Sequence, residues 1–326
     1  MKALKQRILD AIQADLPAIE DALRDNLEPY LPVVSHVADY IMFAGGKRIR
    51  PVLMVLCARV CGYKGSYDKT LSVAFEYLHA ATLLHDDLVD GAEVRRGNPV
   101  AHGIWGNPAV VLVGDFLLAR SVSLAARSGR MSIVEAICRT TAEMSEGEIY
   151  QLLHKGDLTL TESRYMDVIR RKTACLIQTA CRVGALLAEA PESKVQALDA
   201  YGYNLGCAFQ IVDDVLDYTA DEKTLGKAIG TDLREGKVTL PLIYALGRAH
   251  PEDRDTMEAV FGAETITKTD LEMMIELVKR YGGIAYAKGR AKALADQARN
   301  CLDLFEPSPT RNVLEAMAEY VLVRQV

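Results

Sequence analysis

The chain has few aromatic residues: one Trp, and 6% Phe, Trp and Tyr together over 326 residues. Sheet cores lean on aromatic and β-branched side chains, whereas Ala, Leu, Val, Glu, Lys and Arg dominate here and favour helix. A basic excess is also missing, since 38 Lys and Arg stand against 44 Asp and Glu, a net charge of −6. That argues against a nucleic-acid protein, which carries basic patches. Anionic substrates would instead be drawn in locally, by metal and a few placed Lys and Arg. The seven cysteines form no framework, and no charged-apolar-small signal peptide opens the chain, so a reducing, cytoplasmic setting is expected. Cys57 and Cys61 lie at helical spacing, but no second Cys or His pair of ligand spacing joins them, which favours core thiols over a metal site. No apolar run reaches membrane-spanning length; the best candidate, Pro108 to Leu118, is cut by Asp115. No linker or composition break divides residues 1–326, so one all-α domain is expected.

What the chain does have is a duplicated acidic motif. His85-Asp86-Asp87-Leu88-Val89-Asp90 and Val212-Asp213-Asp214-Val215-Leu216-Asp217 each hold DDxxD after an apolar run. On a helix the first and third Asp of each motif share a face. Three carboxylates this close repel one another, and Asp is a poor helix-interior residue, so each cluster costs stability unless a cation sits on it. Hard oxygen ligands suit magnesium, with substrate phosphate and water completing its shell. A single DDxxD is more often a solvated patch near a helix end. Two copies with matching spacing point to two walls of one metal-diphosphate site.

Basic residues punctuate the same stretch of chain. Helical periodicity runs from Lys2 to Leu27, interrupted at Pro17, with an apolar stripe suited to a neighbouring element or subunit; Val33 to Phe43 follows. Gly45-Gly46-Lys47-Arg48-Ile49-Arg50-Pro51 is a basic turn before a helix from Val52 to Cys61, readable as a phosphate cradle or as an exposed loop. Leu71 to Asp90 reads as one long helix carrying His79, a buried hydrogen-bonded His or a phosphate donor. Arg95-Arg96 follow in the loop Gly91 to Gly97, with forked donors suited to phosphate oxygens. Helices are expected over Ala109 to Ala126, Ile133 to Leu153, Thr161 to Ala188 and Glu192 to Tyr218. The polar stretch Thr219 to Thr239 is a lid or a connector. The remainder divides into helices at Pro251, Gly262, Gly282-Gly283 and Pro307, with Ser308-Pro309 capping the last.

Taken together, Gly45-Gly46-Lys47-Arg48-Ile49-Arg50-Pro51, His79, Leu83-Leu84-His85-Asp86-Asp87, Arg95-Arg96-Gly97, Lys172-Thr173, Phe209-Gln210 with the second motif, Gly226-Lys227, Asp232-Leu233 and Gly236-Lys237 resemble the trans-isoprenyl diphosphate synthases. The resemblance implies an all-helical bundle of the isoprenoid synthase type with a deep central cavity, usually a homodimer. It implies that three magnesium ions are held by Asp86, Asp90 and Asp213, supported by Asp87, Asp214 and Asp217. Arg95, Lys172 and Lys227 would hold the allylic diphosphate, with Lys237 acting from the loop. Lys47, Arg50, His79 and Arg96 would hold isopentenyl diphosphate, and Thr173 and Gln210 would line the reacting ends. The implied reaction breaks an allylic carbon–oxygen bond, adds the alkene of isopentenyl diphosphate to the resulting cation and loses a proton to the departing pyrophosphate.

Chain length is expected to depend on Ala81 and Thr82, one turn before Asp86. Short-chain members of the family close the cavity there with aromatic side chains. Each isoprene unit is about 5 Å long, one helical turn, so small residues should let the tail pass. The stretch Ala81 to Asp90 looks most like that of octaprenyl-type synthases, whose products become quinone side chains; farnesyl or geranylgeranyl diphosphate would be the primer. So apolar a product raises the question of peripheral contact with a membrane. The alternatives are a short-chain geranylgeranyl or farnesyl synthase, a noncatalytic regulatory subunit, and a terpene cyclase; the last two would be expected to lack parts of the motif set kept here.

Overall fold

A computed structural model describes residues 2–95, 97–219, 230–263 and 265–324. Lys227 and Arg96 lie outside the described residues. Helices account for nearly all the regular structure, as the composition requires. They are α1 (Lys2–Ile12), α2 (Asp15–Asp25), α3 (Pro32–Met42), α4 (Ile49–Val60), α5 (Tyr67–Ser72), α6 (Ala74–Val89), α7 (Ala101–Trp105), α8 (Asn107–Arg127), α9 (Met131–Leu153), α10 (Glu162–Ile169), α11 (Cys175–Leu187), α12 (Glu192–Thr219), α13 (Thr231–Arg234), α14 (Leu240–Leu246), α15 (Pro251–Phe261), α16 (Lys268–Arg280), α17 (Gly283–Cys301) and α18 (Pro309–Val323).

The 28-residue α12 runs through the middle, packed between α11 and α17, while α11 leans on α4 and α9, and α6 on α8. Its buried positions include Val195, Leu198, Tyr201, Leu205, Ala208, Ile211, Val212 and Val215, a helical stripe that fixes which way its polar residues point. The amphipathic N-terminal stripe is used within the chain: Ile8 and Ile12 are buried, α1 packs on α18, and Arg7 donates to the Asn312 carbonyl at 2.9 Å.

Four local expectations change. The N-terminal break falls at Gln13-Ala14, and Pro17 sits in the first turn of α2, where its missing N–H breaks no helical bond. The helix carrying the first motif is divided from α5 at Val73. Residues 170–174 form a π-helical turn between α10 and α11. The loop after α6 carries a two-stranded ribbon, Val94–Arg95 paired with Asn98–Pro99. In length and composition, α8 resembles a membrane span, although it packs against α6 and α9 within the bundle.

Candidate active site

The first motif occupies the last turn of α6, with Asp90 as its C-cap. A carboxylate there faces the negative end of the helix dipole, so the position is unfavourable without a cation. Asp87 points inward and is 3% exposed; Arg95 grips it with Nε–O distances of 2.8 and 2.9 Å and an Nη2–Oδ1 distance of 2.7 Å. Asp86 and Asp90 lie on the other side. Burial pushes the Asp86 carboxyl up to about 6, with Lys172 opposing the rise and Glu148 and Asp90 adding to it.

A cavity of about 170 Å³ opens beside this turn, lined by Asp90, Lys172, Thr173, Gln210, Asp214 and Lys237 among others. Lys172 and Thr173 reach it from the π turn, an irregularity frequent at functional sites. Two glycines let that turn sit where it does. A Cβ on Gly147 of α9 would come 2.9 Å from the Lys172 nitrogen, and one on Gly206 of α12 would come 2.6 Å from Ala174 Cα. The Lys172 ammonium meets Glu148 at 2.6 Å. Lys237 pairs with Glu235 at 2.6 Å; burial works against its charge, but Glu235, Asp232 and Asp90 outweigh that and raise its proton affinity.

The second motif is held differently. Asp213 is paired with Arg324 at 2.5 Å, and that guanidinium also donates to the Phe209 carbonyl at 2.8 Å and stacks 3.6 Å over the Phe209 ring. Asp214 is 3% exposed and accepts from Tyr165 Oη at 2.6 Å and Gln210 Nε2 at 2.8 Å. Burial pushes its carboxyl up to about 8, Asp232 adding to the rise. Asp217 accepts the backbone N–H groups of Thr231 and Asp232, each at 3.1 Å, and so caps α13. Thr173 donates to Gln210 Oε1 at 2.8 Å.

In the basic turn, Arg48 is turned into the protein. It is 6% exposed, adopts a left-handed backbone (φ 48°), and is paired with Glu20 at 2.6 Å and Glu76 at 3.1 Å. Lys47 is exposed, while Arg50 and His79 are half-buried. His79, Thr82 and Asp86 are all half-buried along α6, whereas Ala81 is fully buried in the core.

As for metal, Asp86 and Asp90 are hard oxygen donors whose charges Lys172 and Arg95 only partly offset, which fits a divalent cation. Among the described residues, no group of three or more His, Cys, Asp or Glu is already arranged around one position. Three residues at the site escaped sequence reasoning: Glu148, Tyr165 and Arg324. The first left a signal, since Glu143, Glu146 and Glu148 on α9 pair with Arg170, Arg171 and Lys172. Tyr165 and Arg324 left none, because their partners lie 49 and 111 positions away.

Known proteins share this sequence and this fold. A family model described as Polyprenyl synthetase matches residues 31–278. The octaprenyl diphosphate synthase of Escherichia coli K12 is 35% identical over 319 residues, 98% of each chain. A crystal structure of a polyprenyl synthase from Caulobacter crescentus, complexed with calcium and isoprenyl diphosphate, superposes with a TM-score of 0.93 at 37% identity, covering 98% of both chains. Geranylgeranyl pyrophosphate synthetase from Pyrococcus horikoshii superposes with a TM-score of 0.91 at 32% identity, over 98% of this chain and 99% of the other.

Proposed function

Since the chain belongs to the polyprenyl synthetase family and is a prenyltransferase that makes trans-polyprenyl diphosphates, we propose that it extends farnesyl or geranylgeranyl diphosphate with isopentenyl diphosphate to a long-chain, octaprenyl-like product on magnesium. The observation that carries the chemistry is the cavity wall formed by Asp90, Lys172 and Lys237, with the half-buried Asp86 one turn before Asp90. Asp86, Asp90 and Asp213 would hold the ions, whose contribution is concentrated positive charge on a departing diphosphate. Lys172, Lys237 and Arg95 exchange their carboxylate partners for the oxygens of the allylic diphosphate, with Lys227 in the same role. Lys47, Arg50, His79 and Arg96 hold isopentenyl diphosphate. Thr173 and Gln210 border the reacting carbons, and the apolar walls exclude water from the allylic cation.

Long-chain synthesis is supported by the octaprenyl relative and by the absence of an aromatic side chain at Ala81 and Thr82. One observation favours the shorter geranylgeranyl or farnesyl product. Phe75, Leu78 and Ala81 are 0, 1 and 0% exposed, so this side of α6 is closely packed among the described residues. Chromatography of dephosphorylated products, made from magnesium, isopentenyl diphosphate and farnesyl diphosphate, separates the readings. A ladder running well past twenty carbons, shortened by T82F or A81F, supports the long product; a stop at twenty or fewer sinks it, and no product from any primer revives the noncatalytic subunit.

We also propose one catalytic domain over residues 1–326, cytoplasmic and paired as a homodimer. Val111 and Leu112 of α8, 41% and 65% exposed, support the pairing. A monomer by sedimentation at micromolar concentration would overturn it.

A further inference from the structure

Thr173, Gln210, Asp214 and Tyr165 form a hydrogen-bonded chain from the cavity into the core, through contacts of 2.8, 2.8 and 2.6 Å. Its direction follows from chemistry. An amide nitrogen only donates, so Gln210 Nε2 gives a hydrogen to Asp214 Oδ1, and Tyr165 Oη donates to Oδ2 of the same carboxyl. The amide oxygen of Gln210 then faces Thr173 and takes that residue's one hydroxyl proton. Toward the cavity, which both residues line, Thr173 is left with lone pairs on oxygen, while Gln210 keeps an oxygen lone pair and the second hydrogen of its amide nitrogen.

We propose that Tyr165 is a positioning residue: by anchoring Asp214 it fixes the amide orientation of Gln210, so that the Gln210 oxygen takes the Thr173 hydroxyl proton and Thr173 presents an acceptor oxygen rather than a donor hydrogen to the reacting end of the substrate. This rests on the prenyl-transfer reading, because acceptor oxygens help only where positive charge develops on carbon. It also gives Asp214 a role apart from metal support. Tyr165 is 3% exposed, and although it lines the same cavity its hydroxyl is taken up by Asp214 at 2.6 Å, so that hydroxyl acts through the carboxyl group. If the chain slackens, Gln210 and Thr173 turn and admit water. The water oxygen then bonds to the allylic carbon that has lost its diphosphate, and a water proton passes to that diphosphate. The result is an allylic alcohol and pyrophosphate in place of an extended chain.

Tyr165→Phe removes one hydroxyl and keeps the ring. The expected result is a kcat for condensation lowered about tenfold, the scale on which losing a residue that orients a working group acts. Both KM values should stay within about twofold, and the ratio of allylic alcohol to extended product should rise. The double variant Y165F/T173V should lose little more than T173V alone, because both changes break one chain. Losses that multiply, or a falling kcat with the wild-type alcohol ratio, would mean that Tyr165 only packs, and would overturn the proposal. Should Y165F not fold, Q210E keeps the shape but not the donor, and a wild-type alcohol ratio in folded Q210E would overturn it equally. A wild-type protein that extends no primer sinks the prenyl-transfer reading itself, and this inference with it.

Discussion

The two aspartate-rich motifs share their spacing and their place near the end of a helix, yet the protein treats them oppositely. In the first, Asp90 lines the cavity, Asp86 is half-buried one turn before it, and Asp87 alone is locked by Arg95. In the second, each carboxylate is engaged by the protein: Asp213 by Arg324, Asp214 by Tyr165 and Gln210, Asp217 by the start of α13. Identical residues at identical spacing therefore carry different loads. The first motif is strained until a cation arrives, whereas the second also holds α10, α13 and the C-terminal helix end onto α12. The contrast separates a motif's chemistry from its structural cost.

The largest expected effect lies in the first motif. D90N should lower kcat on the order of 10³-fold, as loss of a charge-stabilising contact does, while the unfolding temperature without divalent cation stays level or rises. A comparable loss of stability in D90N would erase the contrast. Next comes D214A, which strands two buried donors, Tyr165 Oη and the Gln210 amide. It should cost about 2 kcal/mol in urea unfolding.

The pH dependence divides along the same line. Folded Asp86 binds its proton more tightly than the unfolded chain does, up to about 6 against an ordinary 3.8, and Asp214 up to about 8. Without divalent cation, both groups therefore favour the folded state most at acid pH, and stability falls as pH rises from 3.8 through about 6 and on to about 8. In chelator, D86N should flatten only the lower part of that fall, whereas D214N should flatten it throughout and alone remove the upper part; a stability rising across this window in the wild type would refute both assignments. The smallest effect belongs to D217A. Losing a cap on a four-residue helix should cost about 1 kcal/mol, read as faster amide exchange at Thr231 and Asp232.

Much of this was legible in the chain. Composition and 3.6-residue periodicity called for helices, and the caps at Ser308 and the breaks at Pro251 and Gly282 fall where expected, because these are local effects. The π turn at residues 170–174 was not legible, since it depends on Gly147 and Gly206 meeting it from two other helices. Arg48 shows the same limit. In sequence it is one of three cations in a basic turn, but its burial between Glu20 and Glu76 sorts it from Lys47 and Arg50.

By itself the sequence determined the all-helical class, the two carboxylate motifs and the basic residues that go with them, because helix propensity, charge and spacing are carried by neighbours in the chain. Only the tertiary structure decided that Asp86 and Asp90 stay open while Asp214 is spoken for, that Lys172 enters the cavity from a π turn, and that Tyr165 and Arg324 belong to the site at all. Those outcomes depend on burial and on partners far away in the chain, and desolvation and hydrogen bonding act only once packing has brought such groups together.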